Sequence, residues 1–371
     1  MKEAAAITDR FPIKEPEGLS ERIKNLRDYY FMGAERRWNN EYTAWTTGTP
    51  WDVQFNEMTY YIVPETYLLL QTLRSSYRQA ARPVKLPAEF WDWPHVQRRA
   101  WFVREVMVNY LPQEILPGDL IAGSRFNIQA SLCLTEKEQR EFDRLTTGKN
   151  GVRAAVKWFH DHGYGNSGAT CGHLVPDYPR ALSMGWKGIH DHLKACYDKL
   201  SEKDKQGEKG AQLSAMMTAA TMPRELAGKY AELCKKLSGT EQHPTRRTEL
   251  LQMSENLRRV PWEPPKTFWE AVQALWLTHM LIMSDENYPG PGVSFGRIDQ
   301  YLYPYWQHSI EDGMDREFGK EILKCFWVHC NTVYDAMIRN GNDGITTGFD
   351  RLIALAGVLR DGKDMANDLT E

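Results

Sequence analysis

Residues 267–283 read TFWEAVQALWLTHMLIM, and this stretch decides the fold class of the chain. Three polar residues, Gln273, Thr278 and His279, interrupt its apolar part. The run is therefore too broken for a membrane-spanning helix, which needs about 18 or more consecutive apolar residues. It predicts instead a buried core segment, either a helix or a segment that carries a strand.

The stretches on either side of this segment are mostly helical in pattern. Residues 19–114 show apolar faces at helical spacing, with prolines between them. Residues 319–337 predict a long buried helix, whereas residues 349–357 have the continuous apolar character of a buried strand. Long helices with sparse, wholly buried strands predict an α/β architecture with much additional helix.

Local signals place several boundaries. Thr135 followed by Glu138 has the spacing of a capping box, which predicts that a charged surface helix starts there. Residues 202–210 (EKDKQGEKG) predict a solvated charged linker between two helical pieces. Residues 241–247 predict a polar turn before a helix over residues 248–258. The middle of the chain is thus expected to be a series of helices with short polar connections.

The charge balance excludes several classes of partner. The chain has 371 residues, 46 of them basic and 49 acidic, so no general attraction to nucleic acid or anionic lipid is expected. The richest basic cluster, Arg98, Arg99 and Arg104, is interleaved with apolar residues and predicts the solvated face of an amphipathic helix. No secretory signal pattern is visible. We expect a cytoplasmic protein that binds neither nucleic acid nor membrane.

Six cysteines are scattered through the chain without a CxxC pair. Together with the lack of an export signal, this predicts reduced thiols rather than a disulfide framework. Cys325 and Cys330 lie inside the apolar run of residues 319–337 and are interpreted as buried structural thiols, with a metal site as the weaker alternative. No metal site is predicted.

Two short motifs have alternative interpretations. Residues 163–168 contain a literal GxGxxG, but a poor strand precedes it and Pro176 stands where the following helix would run. An irregular glycine-rich loop is therefore favoured over a dinucleotide site. The two HDH triplets, residues 160–162 and 190–192, are better explained by surface histidines than by zinc or iron ligands.

Five longer stretches occur in the order found in a known family and together span residues 114–370, most of the chain. They are residues 114–125 (EILPGDLIAGSR), 172–189 (GHLVPDYPRALSMGWKGI), 267–280 (TFWEAVQALWLTHM), 294–306 (SFGRIDQYLYPYW) and 345–370 (ITTGFDRLIALAGVLRDGKDMANDLT). Together they resemble the pyruvate formate-lyase domain of glycyl radical enzymes.

The resemblance implies a helical N-terminal layer followed by the first part of a ten-stranded α/β barrel, which is incomplete here. Residues 1–125 are expected to be mainly helical, and residues 126–371 to hold further helices and the first barrel strands. The C-terminal glycine-radical domain is expected to be absent. Because the radical glycine and the thiyl cysteine are expected downstream of Glu371, no catalytic residue is assigned, and the chain alone is expected to be inactive.

The resemblance also implies partners and a substrate class. In the family, an activating enzyme with S-adenosylmethionine and an iron–sulfur cluster installs the glycyl radical, and no cofactor is expected to bind this chain directly. The missing C-terminal half is an expected partner, and the complete enzyme is expected to be a homodimer. Residues 38–57 and 283–300 resemble the arylacetate decarboxylases, which implies a small aromatic carboxylic acid as substrate. Another glycyl radical lyase, a formate acetyltransferase-like enzyme and a non-catalytic binding chain stay open as alternatives.

Two loops carry the substrate-binding residues that the resemblance implies. His173 matches a histidine that hydrogen-bonds the substrate hydroxyl in the related glycerol dehydratases, and a neutral imidazole can donate and accept. A structural role is the alternative for this histidine. Glu286 and Asn287 are candidates for contact with a carboxylate or its bound proton, with a solvated loop tip as the alternative. Gly292 stands where the dehydratases carry a hydroxyl-binding serine, which argues against a diol substrate.

Arg297 and Asp299 follow the second of these loops. They are two residues apart at a loop or helix start, a spacing that favours a structural role. We predict that they hold the loop to the barrel through a charge-assisted hydrogen bond, which is strong only if it is buried.

Overall fold

The computed structural model describes residues 18–27, 59–64, 82–110, 113–123, 127–164, 174–285, 293–331 and 353–370. Helices dominate these ranges. They are α1 (Glu21–Arg27), α2 (His95–Glu105), α3 (Glu136–Thr147), α4 (Val152–Asp161), α5 (Tyr178–Asp198), α6 (Glu202–Lys205), α7 (Glu208–Thr240), α8 (Pro244–Arg259), α9 (Phe268–Asp285), α10 (Ile298–Glu311) and α11 (Arg316–Asn331), with a 3₁₀ turn at Phe90–Asp92 and a π-helical turn at Val106–Tyr110. The strands are β1 (Thr59–Pro64), β2 (Arg82–Val84) and β3 (Asn127–Ala130).

The three strands form one parallel sheet in the order β2–β1–β3. Ile62 of β1 is in register with Arg82 on one side and with Ala130 on the other. Parallel neighbours require long crossover connections, and α2 lies in the segment between β2 and β3. The predicted α/β class with much additional helix is confirmed.

Helix α9 lies in the hydrophobic core. Every residue from 268 to 281 is buried, so this part of the helix has no solvent-facing side. The predicted core segment, residues 267–283, is thus helical from Phe268 onward, which is one of the two forms predicted for it. A segment that is apolar all round carries no periodicity, which is why the pattern left helix and strand open.

The polar residues of α9 have buried partners on distant segments. Gln273 exchanges two hydrogen bonds of 2.8 Å with the backbone amide and carbonyl of Ala122. The Nδ1 of His279 lies 2.6 Å from the hydroxyl of Tyr178, and Thr278 accepts a bond of 3.0 Å from an indole of α5. Because an unpaired buried polar group costs about 1–3 kcal/mol, these pairs fix where α9 sits.

Local signals predicted some boundaries and missed others. The capping box of Thr135 and Glu138 is confirmed at the start of α3. Residues 202–210 are not a linker, since they contain α6, capped by Ser201, and the first turn of α7. Helix α8 starts at Pro244, inside the predicted turn. The first prediction was wrong because charged residues suit exposed helices as well as loops. The second was wrong because proline suits the first position of a helix.

The arginine cluster on α2 is not a solvated face. Arg98 is only 2% exposed, and each of the three guanidinium groups pairs with a carboxylate on another helix. The prediction was wrong because a guanidinium is tolerated inside a protein when a carboxylate accompanies it. The pairs are Arg98 with Glu138 of α3 at 2.5 Å, Arg99 with Asp285 of α9 at 3.1 Å, and Arg104 with Glu225 of α7.

Residues 353–357 do not form the predicted buried strand. Ile353 makes a single parallel bridge to Gly296, and Leu355 is 49% exposed. A buried strand needs paired neighbours and covered faces, and within the described ranges only that one bridge supplies them for these residues. The remainder of the predicted strand lies outside the described residues.

Candidate functional site

The two loops that carry the predicted substrate-binding residues meet at their described ends. Leu174 and Val293 form a parallel β-bridge, and the amide of Ser294 donates to the carbonyl of Leu174 at 2.9 Å. His173 directly precedes Leu174, and Gly292 directly precedes Val293. Residues separated by more than a hundred positions in sequence are therefore attached to one point of the fold.

His173, Glu286, Asn287 and Gly292 themselves lie outside the described residues, and their roles stay predictions. The chain on either side of them is fixed. The second loop begins directly after Asp285, the last residue of α9, which is paired with α2. Both ends of this loop are thus tied to the helical body.

A buried aromatic cluster adjoins the bridge on both segments, and we call Tyr178, His279 and Phe295 the aromatic floor. Tyr178 follows Leu174 by four residues, and Phe295 follows Val293 by two. The rings of His279 and Phe295 stack with centroids 4.0 Å apart, and those of Tyr178 and Phe295 lie 6.0 Å apart. All three residues are at most 1% exposed. The floor therefore joins α5, α9 and the segment of Val293.

Asp299, at the start of α10, holds residues 353–370 against the body. Its Oδ2 accepts hydrogen bonds of 2.7 Å from the amide of Ala356 and from the hydroxyl of Thr370. Arg297 donates to the carbonyl of Ala356 at 2.8 Å. The two residues have a structural role, as predicted, but the segment that they hold is 353–370 rather than the loop before them.

The surroundings of Asp299 keep it ionised. Burial raises the pKa of the Asp299 carboxyl, but hydrogen bonds from Ala356, Thr370 and Gln300 outweigh burial and lower the pKa below its ordinary value of 3.8. Burial also raises the pKa of the nearby Tyr301 phenol, which stays protonated. At neutral pH the anchor is a carboxylate surrounded by neutral donors.

The described cysteines are placed for packing rather than chemistry. Cys133, Cys234, Cys325 and Cys330 are buried, and Cys196 is half-buried. Burial raises the pKa of Cys133 and of Cys234 to about 12, and it raises the pKa of Cys325 as well. Since the thiolate is the reactive form, such thiols are inert at neutral pH. The prediction of buried structural thiols at Cys325 and Cys330 is confirmed.

The weaker motifs are resolved by their surroundings. Helix α4 runs directly into residues 162–163, so no strand precedes the GxGxxG and the dinucleotide interpretation lacks its structural context. Three of the four histidines in the HDH triplets are exposed and His190 is half-buried. No three His, Cys, Asp or Glu side chains of the described ranges are grouped as a metal site. Across those same ranges, none of the helices has the length and apolarity needed to span a membrane.

A separate surface cleft of about 630 Å³ lies between α2, α5 and α7. Its walls include Trp101 and Tyr197, and its charged groups include the pair of Arg104 with Glu225. The volume is in the range of small-molecule sites, but the charges compensate one another, so no particular ligand is indicated.

A family model described as pyruvate formate lyase-like matches residues 155–371, more than half of the chain. A solved glycyl radical enzyme from Archaeoglobus fulgidus superimposes with a TM-score of 0.60 at 25% identity, covering 78% of this chain and 44% of that structure. The chain therefore belongs to the pyruvate formate lyase-like family of glycyl radical enzymes, and its fold corresponds to part of their barrel.

Two curated relatives illustrate the range of reactions in the family. The (2S)-3-sulfopropanediol dehydratase of Klebsiella oxytoca is 30% identical over 292 residues, which cover 72% of this chain and 34% of the relative. The indoleacetate decarboxylase of Tractidigestivibacter scatoligenes is 42% identical over 107 residues, which cover 29% of this chain and 12% of the relative. The chain thus spans about a third of the dehydratase that it matches over most of its own length.

Sequence reasoning missed the aromatic floor. Tyr178 lies within the family-like stretch 172–189, and His279 is one of the polar residues that interrupt an apolar run, but neither pattern predicts that the two are paired. The signal available in the sequence was a histidine inside a largely apolar run. A buried imidazole requires a hydrogen-bond partner. The identity of that partner, 101 residues away, is a property of the tertiary fold.

Proposed function

We propose that this chain supplies the helical layer and the first pocket loops of a glycyl radical lyase that decarboxylates an arylacetate. The observation that carries the proposal is the bridge between Leu174 and Val293, because it attaches both loops with predicted substrate-binding residues to one place. Behind them lies the apolar aromatic floor. An apolar wall with a few polar groups at its rim suits an aromatic ring that bears a carboxylate.

Two features support an arylacetate in particular. Identity to the indoleacetate decarboxylase, 42%, exceeds the 30% identity to the sulfopropanediol dehydratase, although over a shorter stretch. Gly292 offers no hydroxyl where the dehydratases carry a serine. In this proposal His173 and Asn287 donate hydrogen bonds to the carboxylate, and Glu286 shares a proton with it.

The proposed net reaction is redox-neutral. An arylacetate takes up one proton and loses carbon dioxide to give the methylarene, so phenylacetate gives toluene and indoleacetate gives 3-methylindole. The radical glycine and the thiyl cysteine are proposed to reside in the part of the relatives that this chain does not span. An S-adenosylmethionine-dependent activating enzyme is the proposed source of the radical, and the complete enzyme is proposed to be a homodimer.

A dehydratase is the second candidate. It is favoured by the similarity to the sulfopropanediol dehydratase, which extends over 72% of this chain. The two candidates make opposite demands on the loop of Gly292. A dehydratase needs a hydroxyl-binding group there, whereas a decarboxylase needs room for a ring or a donor to a carboxylate.

The deciding experiment is an anaerobic assay with phenylacetate, indoleacetate and a propanediol, with the activating enzyme present. The chain alone is expected to show neither turnover nor a glycyl radical by electron paramagnetic resonance. Addition of the polypeptide encoded directly downstream is expected to restore both, with methylarene as product. Turnover by the chain alone, or diol dehydration without methylarene, would contradict the proposal.

The role of His173 is tested in the reconstituted enzyme. His173→Ala is expected to lower kcat/KM for the arylacetate about 100-fold, because a charged acceptor loses its donor in a closed site. The glycyl radical content should be unchanged. His192→Ala, which alters an exposed histidine on α5, is the matched control and should leave the kinetics unchanged.

A further inference from the structure

Within the aromatic floor, Tyr178 and His279 form a pair that the proposed function does not use. The Tyr178 hydroxyl lies 2.6 Å from Nδ1 of His279, and the two residues are 1% and 0% exposed. When the hydroxyl donates, Nδ1 is the unprotonated nitrogen of a neutral imidazole. The phenol thus has a base within hydrogen-bond distance in a place that bulk water does not reach.

This arrangement removes the usual obstacle to oxidising a buried tyrosine. Loss of an electron makes the phenol a strong acid, and a cationic phenol held in an apolar interior is costly. His279 can accept the proton along an existing hydrogen bond, because its Nδ1 carries a free lone pair when the hydroxyl donates. Oxidation of Tyr178 therefore does not require the proton to leave the core.

Tyr301 supplies an internal contrast. Its ring centroid lies 6.3 Å from that of Tyr178, and its hydroxyl also donates to a protein group, the carbonyl of Phe295, at 3.0 Å. A backbone carbonyl accepts a hydrogen bond but does not take the proton. Two neighbouring tyrosines thus differ in the one feature that matters for loss of an electron.

We propose that Tyr178 and His279 form a site of reversible one-electron oxidation. A protein thiyl radical, or another one-electron oxidant, takes an electron from Tyr178 and is reduced, in the case of the thiyl radical to a thiolate. The phenolic O–H bond breaks and the proton moves to Nδ1 of His279, leaving a neutral tyrosyl radical beside an imidazolium. A small thiolate acting as reductant gives one electron to the tyrosyl radical and becomes a thiyl radical, the imidazolium returns its proton to the phenolic oxygen, and the pair is restored.

The position of the pair gives the site a use. Tyr178 follows Leu174 of the bridge by four residues, and Phe295, which stacks on His279, follows Val293 by two, so the pair adjoins the described ends of both proposed pocket loops. An oxidising equivalent that strays from the pocket would reach Tyr178 and be held there, rather than cleave the backbone. The chemistry is independent of the proposed substrate, so it can be tested on the chain itself.

The test is flash photo-oxidation of the 371-residue chain with a ruthenium tris-bipyridine sensitiser and a sacrificial electron acceptor. Ascorbate added before freezing removes radicals at exposed rings such as Tyr164 and Trp158, which are 64% and 54% exposed. A neutral tyrosyl signal that survives ascorbate is expected by electron paramagnetic resonance. It should fall about ten-fold in Tyr178→Phe and in His279→Gln, because phenol or base is then missing.

Tyr301→Phe is the matched control and should leave the signal unchanged. Circular dichroism establishes that each variant is folded, and Tyr178→Phe, which keeps the ring volume, decides alone if His279→Gln unfolds. An ascorbate-resistant signal that persists in Tyr178→Phe, equal loss in Tyr301→Phe, or no resistant signal in the wild type would overturn the proposal.

Discussion

Helix α9 and the hairpin of α3 and α4 use polar side chains in opposite ways. In α9, Gln273 and His279 are buried and bond to segments 151 and 101 residues away in sequence. In the hairpin no side chain is buried, and the charge pairs lie within a single helix, as Arg140 with Glu136 at 2.9 Å, except for that of Glu138 with Arg98 of α2. Polar groups build the tertiary structure in one region and mainly solvate the surface in the other.

The difference shows where the candidate site is rigid. A buried hydrogen bond between distant segments fixes their relative position, whereas an exposed ion pair within a helix contributes about 0.3–0.5 kcal/mol and fixes nothing else. The described ends of the two pocket loops, Leu174 and Val293, belong to the region that is held by buried hydrogen bonds between distant segments. Substitutions that weaken long-range pairs should therefore disturb the site, and substitutions in the hairpin should not.

The largest expected contrast is between two tryptophans. Trp276 of α9 is fully buried and donates to the carbonyl of Gly123 at 2.6 Å, whereas Trp158 of α4 is 54% exposed. Trp276→Ala is expected to lower the free energy of unfolding by about 3–5 kcal/mol. Trp158→Ala should change it by less than about 0.5 kcal/mol. The urea midpoints of unfolding of the two variants measure this difference, and equal shifts from the wild-type midpoint would contradict it.

A smaller effect is expected at a buried carboxylate that joins two helices, α1 and α8. Glu249 of α8 is 7% exposed and accepts from Arg22 of α1 at 2.5 Å and from Arg246 at 3.0 Å. Glu249→Gln removes the carboxylate paired with Arg246 and the nearer of the two carboxylates beside Arg22, whose other one is Glu321 at 3.8 Å, and should cost about 3 kcal/mol. Thermal unfolding measures it. The matched control is Glu141→Gln, which breaks an exposed pair within α3 and should leave the transition in place.

A smaller loss of stability is expected at the capping box of α3. The hydroxyl of Thr135 accepts from the amide of Glu138 at 3.3 Å and donates to its carboxylate at 2.9 Å. Thr135→Ala is expected to cost about 1 kcal/mol and to speed hydrogen exchange in the first turn of α3. Thr146→Ala, at the far end of the same helix, should not affect that turn. Unchanged protection of residues 136–139 in Thr135→Ala would show that the cap is not formed.

The smallest expected effect is on the pH dependence of the stability of the fold. Burial of Glu138 raises its pKa, but hydrogen bonds from Arg98 and Thr135 outweigh burial and hold the pKa at about 2, below its ordinary 4.5. A lowered pKa stabilises the folded state fully above 4.5, and this contribution is lost as the pH falls toward 2. Glu138→Gln should therefore show a shallower loss of stability over that window than the wild type. Parallel acid titrations followed by circular dichroism would contradict this if their slopes coincide.

The sequence predicted features that depend on neighbours in the chain or on burial alone. The capping box, the thiols of Cys325 and Cys330 and the buried character of residues 267–283 all hold. The family, inferred from five ordered stretches, is shown by the match over residues 155–371. These features need no knowledge of which segments pack together.

Features that depend on distant partners were not accessible from the pattern. Arg98 resembles any surface arginine until Glu138 is placed beside it. The strand expected at residues 349–357 is not formed in its described part, residues 353–357, because strand burial depends on neighbours that the local sequence does not specify. For the site, the two loops were predicted, but their attachment at Leu174 and Val293 is a tertiary property.

Cross-linking of the two pocket loops tests the central claim most directly. Neighbouring strands lie about 4.8 Å apart, within the Cα separation that a disulfide spans. Leu174→Cys with Val293→Cys is therefore expected to form a disulfide under mild oxidation, identified by mass spectrometry, whereas Leu174→Cys with Leu251→Cys, on exposed α8, is not. If the first pair stays reduced in a folded chain, the loops do not meet and the proposed pocket is wrong.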